Sequence, residues 1–198
     1  MSKYTETELS KVRTYSIKNR PSIVDKSFFA QKGEVDTASF LSCLPDILSA
    51  KELKELIERL KEAKAKEKSI ILGMGGHVIK CGLAPLIIEM MEAGYVSAIA
   101  VNGSVIIHDF EIAFFGQTSE DVGSALADGS FGMAEETSSM LNSFIKEGRN
   151  EQLGLGEAVG KKILELAPNN ELSLLAMAYK HDIPVTVHVA IGTDIIHQ

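Results

Sequence analysis

The stretch SIILGMGGHVIKCG, Ser69–Gly82, decides the fold. Its apolar run, Ser69–Leu72, is typical of a strand, and the glycines that follow predict a tight turn before a helix that opens at His77. The run does not alternate with polar residues, which favours a strand covered on both faces. A glycine turn between a strand and a helix exposes backbone N–H groups that suit a phosphate. The same glycines are equally compatible with a plain tight turn.

Two more apolar runs, Val96–Val101 and Pro184–Ile191, predict further strands. Helical patterns lie between the strands, among them His77–Ala93, which Pro85 is expected to kink or divide. Strands that alternate with helices imply a parallel sheet built from right-handed crossovers. We therefore expect an α/β fold with a three-layer, doubly wound and mostly parallel sheet.

The chain before this sheet has a different character. Residues 1–35 are predicted to form an N-terminal extension, and residues 36–198 the α/β domain. Asp36 is expected to cap a short helix, and Ala50–Lys66 to form a long charged one. The chain stops just past its third strand, where a doubly wound domain normally continues. We therefore expect either a trimmed domain or a missing C-terminal part.

The composition and the net charge of the chain limit the classes of partner that we expect. The chain has 198 residues and a net charge of −7. Nucleic acids and anionic membranes select a basic face, so neither is expected as a partner. Two cysteines make no disulfide framework, no signal peptide is evident, and the apolar runs are far below the roughly 20 residues that span a bilayer. We expect a cytoplasmic protein that binds a small molecule.

The residues at the ends of the predicted strands are the candidates for function. Three such ends are expected, at Gly73–His77, Asn102–Asp109 and Gly192–His197. Ligands of parallel sheets bind outside the carboxyl ends of the strands, so these segments are predicted to face one cleft. His108 titrates near neutral pH and is the candidate for acid–base work. Asp109 is expected either to orient a substrate or hold a ribose hydroxyl, or to cap the helix that begins there or favour its dipole.

Other residues leave alternatives open. Glu111 is expected to face either this cleft or solvent. His188, Asp194 and His197 have a spacing that suits a zinc ion or another divalent ion, although a lone strand histidine is more often a core or interface residue. A metal-dependent hydrolase that uses these three residues is one alternative to a nucleotide-binding enzyme. A non-catalytic nucleotide-binding or assembly protein is another.

Three segments resemble the deoxyhypusine synthase family. ILGMGGHVIKCG, Ile71–Gly82, is similar to the family's first strand and turn, and AIAVNGSVIIHDFEIAF, Ala98–Phe114, is similar to its second strand end and acidic pair. IPVTVHVAIGTD, Ile183–Asp194, looks like its Ile-Pro-Val strand and Thr-Asp pair. The resemblance implies an NAD-binding parallel-sheet fold with NAD as the cofactor. It also implies a homotetramer with sites between subunits, and for this chain we expect a homo-oligomer, either a dimer or a tetramer.

The resemblance also assigns site residues. It places the cofactor against Gly73, Gly75, Gly76, His77, Asn102, Gly103 and Ser104. Asp109 matches an acidic position near the cofactor and Asp194 the aspartate of the third strand end, and with His108 they are the predicted catalytic residues. The family's Trp-Gly-Lys segment, which carries its imine-forming lysine, is not found, and the chain has no tryptophan. The sequence therefore predicts a divergent relative, an NAD-dependent oxidoreductase or transferase for a small amine- or amino-acid-like substrate, and not a deoxyhypusine synthase.

Overall fold

The structure is a computed structural model that describes residues 36–120, 122–128 and 131–197. The expected N-terminal extension, residues 1–35, lies outside the described residues and stays a prediction. The chain divides into two compact units, Met1–Glu58 and Arg59–Gln198, and the sheet belongs to the second. Among the described helices, none combines the length and the apolar character that a membrane span requires.

The first two helices begin close to where the sequence predicts them. Helix α1 spans Thr37–Cys43, and the Asp36 side chain accepts a hydrogen bond from the Ser39 backbone N–H at 2.7 Å. This confirms the expected cap, which satisfies a backbone N–H that has no partner inside the helix. Helix α2 spans Leu48–Ala65 and is the predicted long charged helix.

The described residues contain one sheet of three parallel strands. The strands are β1 (Ile71–Met74), β2 (Ala98–Asn102) and β3 (Val185–His188), in the order β1-β2-β3. Gly73 pairs with Ala100, and Asn102 pairs with His188. Because the strands are parallel and in register, their carboxyl ends meet at one edge of the sheet. The predicted α/β fold class with a parallel sheet is confirmed.

The two faces of this sheet differ in their exposure. Leu72, Ile99 and Val187 share the face that joins the hydrophobic core. On the other face, Ile71 is 68% exposed and His188 is exposed as well. The prediction that the first strand is covered on both faces is therefore wrong for the described chain. The reason is that the core forms on the Leu72 side of the sheet, which an apolar run alone does not reveal.

Helices connect the successive strands. Helices α3 (His77–Lys80) and α4 (Ala84–Glu92) lie between β1 and β2, and α5 (Gly103–Phe115), α6 (Val122–Asp128), α7 (Glu135–Asn150), α8 (Leu155–Leu166) and α9 (Leu174–Lys180) lie between β2 and β3. The single helix expected at His77–Ala93 is divided, as the proline within it predicts. Gly82 adopts a φ of +72°, and Pro85 lies in the first turn of α4. Such a turn suits glycine, and proline fits a helix start.

The core is built around α5. Val105, Ile106 and Phe110 have no solvent exposure, and the Phe110 ring lies 4.7 Å from that of Phe114 and 6.1 Å from that of Phe144. A helix that is apolar over most of its circumference is a buried helix. Since α5 follows β2 directly, its burial fixes the position of its first turns at the carboxyl edge of the sheet.

Candidate functional site

The three predicted strand ends meet at one edge of the sheet. The Gly76 backbone N–H, after β1, donates to the Ser104 hydroxyl at 3.2 Å, and that hydroxyl donates to Oδ1 of Asn102 at 2.7 Å. From the third strand end, the Asp194 carboxylate reaches the start of α5, where an ideal Cβ built at Gly103 would clash with it. The structure therefore brings these five predicted residues together.

Three other predicted cofactor-binding residues have different surroundings. An ideal Cβ at Gly75 would lie 3.4 Å from Nδ2 of Asn102, so Gly75 belongs to the same edge. Gly73 lies within β1, where a Cβ would meet no atom within 4 Å. His77 is exposed at the first residue of α3. The placement of Gly73 and His77 gives no support to a role in cofactor binding.

Asp109 does not reach this edge. Its side chain is fully buried, and its carboxylate accepts hydrogen bonds from the Ser173 hydroxyl at 2.5 Å and from the N–H groups of Leu174 and Leu175 at 2.7 and 3.1 Å. Burial raises the pKa of Asp109, and the three hydrogen bonds lower it. Burial has the larger effect, so the pKa is about 6. The predicted catalytic role of Asp109 is therefore not supported, because its carboxylate is used at the N-terminal end of α9. The predicted cap of its own helix is not found either, since α5 begins six residues earlier, at Gly103.

His108 faces a different side of α5, because consecutive helix residues point about 100° apart. Its Nδ1 atom lies 2.7 Å from the Thr118 hydroxyl, which in turn donates to Oε2 of Glu111. The other oxygen of Glu111, Oε1, accepts a hydrogen bond from the Thr137 hydroxyl at 2.8 Å. His108, Thr118, Glu111 and Thr137 thus form one hydrogen-bonded group, named here the His108 network.

The local sequence explains how the His108 network forms. His108 and Glu111 are three residues apart on α5, a spacing that places both side chains on one face of a helix. Helix α5 ends at Gly116, whose φ is +71°, and the chain then turns back. This turn carries Thr118 to the face that His108 and Glu111 share. Thr137 comes from α7 and is buried.

The environment of His108 favours the neutral imidazole. Burial lowers the pKa of His108 below its ordinary value of 6.5, and the charges of Lys80 and His77 lower it further, while Glu111 raises it. Nδ1 of His108 lies 3.9 Å from Oε2 of Glu111. A neutral histidine at pH 7 accepts a proton, which is what a general base requires.

A cavity of about 290 Å³ opens beside the His108 network. Its polar lining consists of Lys80, Ser104, His108, Glu111, Glu120 and Asp194, together with shorter polar groups. A volume of this size suits a molecule as large as an amino acid. A second cavity, of about 370 Å³, lies beside Pro184 and Val185 at the start of β3. The first is the better candidate, because ligands of parallel sheets bind at the carboxyl ends of the strands.

The charges that line the cavity are unequal. Among the described lining residues, Glu111, Glu120 and Asp194 supply three carboxylates, and Lys80 supplies one ammonium group. With His108 neutral, the balance is negative. Such a cavity attracts a cation, and the attraction is stronger than in bulk water because the site is partly buried.

The alternative metal site gains no support. Among the side chains that the structure describes, no group of three or more His, Cys, Asp or Glu residues is arranged to hold a metal ion. His188 lies on the open face of the sheet, where its Nε2 atom is 3.0 Å from the Thr186 hydroxyl, whereas Asp194 lines the cavity. The side chain of His197 lies outside the described part of the chain.

A dinucleotide fits this edge through its hydroxyl groups better than through its phosphates. The Gly76 N–H already donates to Ser104, and α3 has only four residues, so its dipole is small. At the start of α5, the Asp194 carboxylate lies where a phosphate would bind. The amide of Asn102, the hydroxyl of Ser104 and the carboxylate of Asp194 are groups that bind ribose hydroxyls. Lys80 is the cation at this edge that suits a phosphate.

Sequence reasoning misses part of this site. The sequence does not single out Thr118, Thr137 or Glu120 as candidates. For Glu111 it allows both the cleft and solvent, and the structure places this residue in the cavity wall. The spacing of His108 and Glu111 on one helix is the available signal. Nothing in the sequence links Thr137, 26 residues beyond Glu111, to that carboxylate.

A family model described as arginine dihydrolase ArgZ-like, C-terminal, Rossmann fold matches residues 54–165, more than half of the chain. The chain belongs to this ArgZ-like family. The match includes β1, β2 and α5, and with them Ser104, His108 and Glu111. Asp194 lies beyond the matched residues. The three-stranded parallel sheet of the described residues and its helices are accordingly a Rossmann-like α/β fold.

Solved structures extend the comparison of this ArgZ-like chain. The apo structure of ArgZ, an arginine dihydrolase from the ornithine–ammonia cycle in cyanobacteria, is 18% identical with a TM-score of 0.50, over 71% of this chain and 18% of that one. A putative deoxyhypusine synthase from Entamoeba histolytica is 18% identical with a TM-score of 0.43, over 60% and 41%. A conserved putative LOR/SDH protein from Methanococcus maripaludis S2 is 20% identical with a TM-score of 0.47, over 82% and 44%.

The family match and the ArgZ structure support the fold and not a particular activity. The sequence identity to the ArgZ structure is too low for a shared function to be inferred from it, and the chain spans less than a fifth of that protein. It spans less than half of each of the other two. No curated protein matches the chain in sequence.

Proposed function

We propose that this ArgZ-like chain is the nucleotide-binding part of an enzyme that uses NAD and acts on a small cationic amine or amino acid. The observation that carries the proposal is the cavity at the carboxyl edge of the sheet, where Ser104, His108 and Asp194 meet Glu111. Rossmann-like sheets bind nucleotides at this edge, and the groups that surround the cavity include a neutral base.

The substrate class follows from the charge of the cavity. Its carboxylates outnumber its lysine, which favours a positively charged ligand, and its volume of about 290 Å³ suits one of amino-acid size. ArgZ, the cyanobacterial relative, is an arginine dihydrolase of the ornithine–ammonia cycle. Arginine and ornithine are both cationic amino acids, and we extend that substrate class to this chain as part of the proposal.

The residues at the edge have separate roles in this proposal. Asn102 and Ser104 bind ribose hydroxyls, and Lys80 neutralises a phosphate. Bound NAD supplies the acceptor for a hydride, while the protein orients the reacting groups. His108 accepts the proton that the substrate releases, and Asp194 orients the ammonium group.

The proposed kinship with deoxyhypusine synthases rests on sequence. The segments that carry it are Ile71–Gly82, Ala98–Phe114 and Ile183–Asp194, and these same segments form the edge described above. Self-association into a dimer or tetramer is also proposed. It is supported by the open face of the sheet, since parallel sheets are normally covered on both faces. Light scattering on the purified protein tests it.

Calorimetry with NAD and NADH tests the proposal. We expect saturable binding of at least one of the two at millimolar concentration, and weaker binding by Asn102→Leu. Asn150→Leu, at the exposed end of α7, is the matched control and is expected to bind as the unmodified protein does. The absence of binding by either form of the dinucleotide at millimolar concentration would overturn the proposal.

A further inference from the structure

The hydroxyl proton of Thr118 determines the direction of the hydrogen bonds in the His108 network. A threonine hydroxyl has one proton, and a carboxylate has none to donate. The Thr118 hydroxyl donates to Oε2 of Glu111, and the Thr137 hydroxyl donates to Oε1 at 2.8 Å. The single proton of the Thr118 hydroxyl therefore lies in the hydrogen bond to Glu111. Toward His108, its oxygen acts as an acceptor.

Nδ1 of His108 must then be the donor in its 2.7 Å contact with the Thr118 hydroxyl. A neutral imidazole has one N–H, so a proton on Nδ1 leaves a lone pair on Nε2. We propose that Glu111 and Thr118 are positioning residues that hold neutral His108 in the Nδ1–H tautomer, with Nε2 as the atom that accepts a proton from the substrate. The identity of the substrate rests on the proposed function, whereas the tautomer does not.

The Nε2 side of the ring lies toward the glycine turn after β1. An ideal Cβ at Gly76 would lie 2.9 Å from Cδ2 of His108, the ring carbon bonded to Nε2. Within the described residues, His108 is held through Nδ1, and no hydrogen bond is made to Nε2. Glycine at position 76 thus leaves room for this side of the ring. The Ser104 side chain lies against the same glycine, where a Cβ would be 2.6 Å from its Oγ atom.

Proton transfer to His108 creates a positive charge on its ring, and a nearby carboxylate compensates that charge. An N–H bond of the substrate ammonium breaks, its electron pair stays on the substrate nitrogen, and a new N–H bond forms at Nε2. Oε2 of Glu111, 3.9 Å from Nδ1, stabilises the resulting imidazolium by its opposite charge. Before the transfer, burial and the charges of Lys80 and His77 lower the pKa of His108. The ring therefore begins the reaction neutral at pH 7.

Nitrogen NMR of the full chain labelled at histidine tests this tautomer directly, since protonated and unprotonated ring nitrogens resonate far apart. The His108 signals are assigned by their loss in His108→Asn. We expect Nε2 of His108 to be unprotonated at pH 7.5. Thr118→Val is expected to lower the ratio of the Nδ1–H to the Nε2–H tautomer about tenfold, the effect of one hydrogen bond. Thr118→Ser keeps the hydroxyl and is expected to restore the ratio.

Thr186→Val is the matched control, because that threonine contacts His188 and not His108. A proton on Nε2 of His108 in the unmodified protein would overturn the inference. So would an unchanged tautomer ratio in Thr118→Val, whose folding is checked by its amide spectrum. The measurement needs neither NAD nor substrate. A failure of NAD to bind therefore overturns the proposed function but not the inference about the tautomer. Conversely, a proton on Nε2 overturns the inference about the tautomer but not NAD binding.

Discussion

The carboxylate of Asp194 lies against the backbone of Gly103, the first residue of α5. Oδ2 of Asp194 also accepts a hydrogen bond from the Ala190 backbone N–H at 3.1 Å, which holds the loop after β3 in a turn. A negative charge near the N-terminus of a helix is stabilising. The contact therefore joins the third strand end to the second, and it requires that residue 103 have no side chain.

Replacing Gly103 with alanine puts a methyl group where the Asp194 carboxylate lies. We expect G103A to lower the free energy of unfolding by about 1–2 kcal/mol, because the carboxylate is displaced from the helix start and the surroundings are crowded. G73A is the control, since a Cβ there meets no atom within 4 Å. Urea denaturation measures both variants. Equal losses of stability in the two would contradict the contact.

The pKa of His108 is predicted to lie below 6.5 in the folded protein, for the reasons of burial and charge given above. Because the folded protein then binds this proton less readily than the unfolded chain, His108 contributes stability above pH 6.5 that is lost as the pH falls. Removing the positive charge in Lys80→Ala raises this pKa, and Glu111→Gln lowers it further. NMR titration of the ring measures each shift.

Lys161→Ala is the control for the His108 titration, because Lys161 pairs with Glu151 on the surface, outside the cavity lining. It is expected to leave the titration midpoint of His108 unchanged. A midpoint above 6.5 in the unmodified protein would contradict the described environment of His108, as would a Lys80→Ala variant that titrates like Lys161→Ala.

Asp109 makes the stability of the folded protein fall with rising pH, the opposite of the effect of His108. Its pKa is raised from 3.8 to about 6, so the folded state holds the proton more tightly than the unfolded chain. The resulting stability is fully present below pH 3.8 and is lost as the pH rises through about 6. The loss amounts to about 3 kcal/mol. Urea denaturation between pH 3.5 and 7 is expected to show this decline relative to Asp109→Asn.

The exposed Asp182→Asn is the control for Asp109→Asn. Its stability is expected to follow the same pH dependence as the unmodified protein. If the unmodified protein and Asp109→Asn have parallel curves over this pH range, Asp109 does not hold its proton more tightly in the folded state than in the unfolded chain.

The sequence predicts the parts of the fold that depend on local pattern. The order of strand, glycine turn and helix around Gly76 is confirmed, as is the division of the helix at Pro85. Parallel strands share one edge, so the meeting of Asn102 and Asp194 there also follows from topology. The open face of the sheet does not, because the apolar run at Ile71 is compatible with either one or two covered faces.

The functional site is predicted less completely, for reasons of direction and distance along the chain. His108 and Asp109 are neighbours in sequence but point to different sides of α5, so only His108 joins the cavity. The deciding partners of His108 lie on a turn and on another helix. Thr118 becomes its partner only because α5 ends at Gly116 and the chain turns back, a tertiary effect that residue types and spacing do not specify.

The cavity is proposed to bind a cationic amine next to His108 when NAD is present. The most direct test of this binding is an NMR titration of the His108 ring with ornithine in the presence of NAD, with succinate as the oppositely charged comparison. We predict a saturable shift of the His108 signals with ornithine and none with succinate. A shift with succinate, or no shift with ornithine, arginine or spermidine, would contradict it.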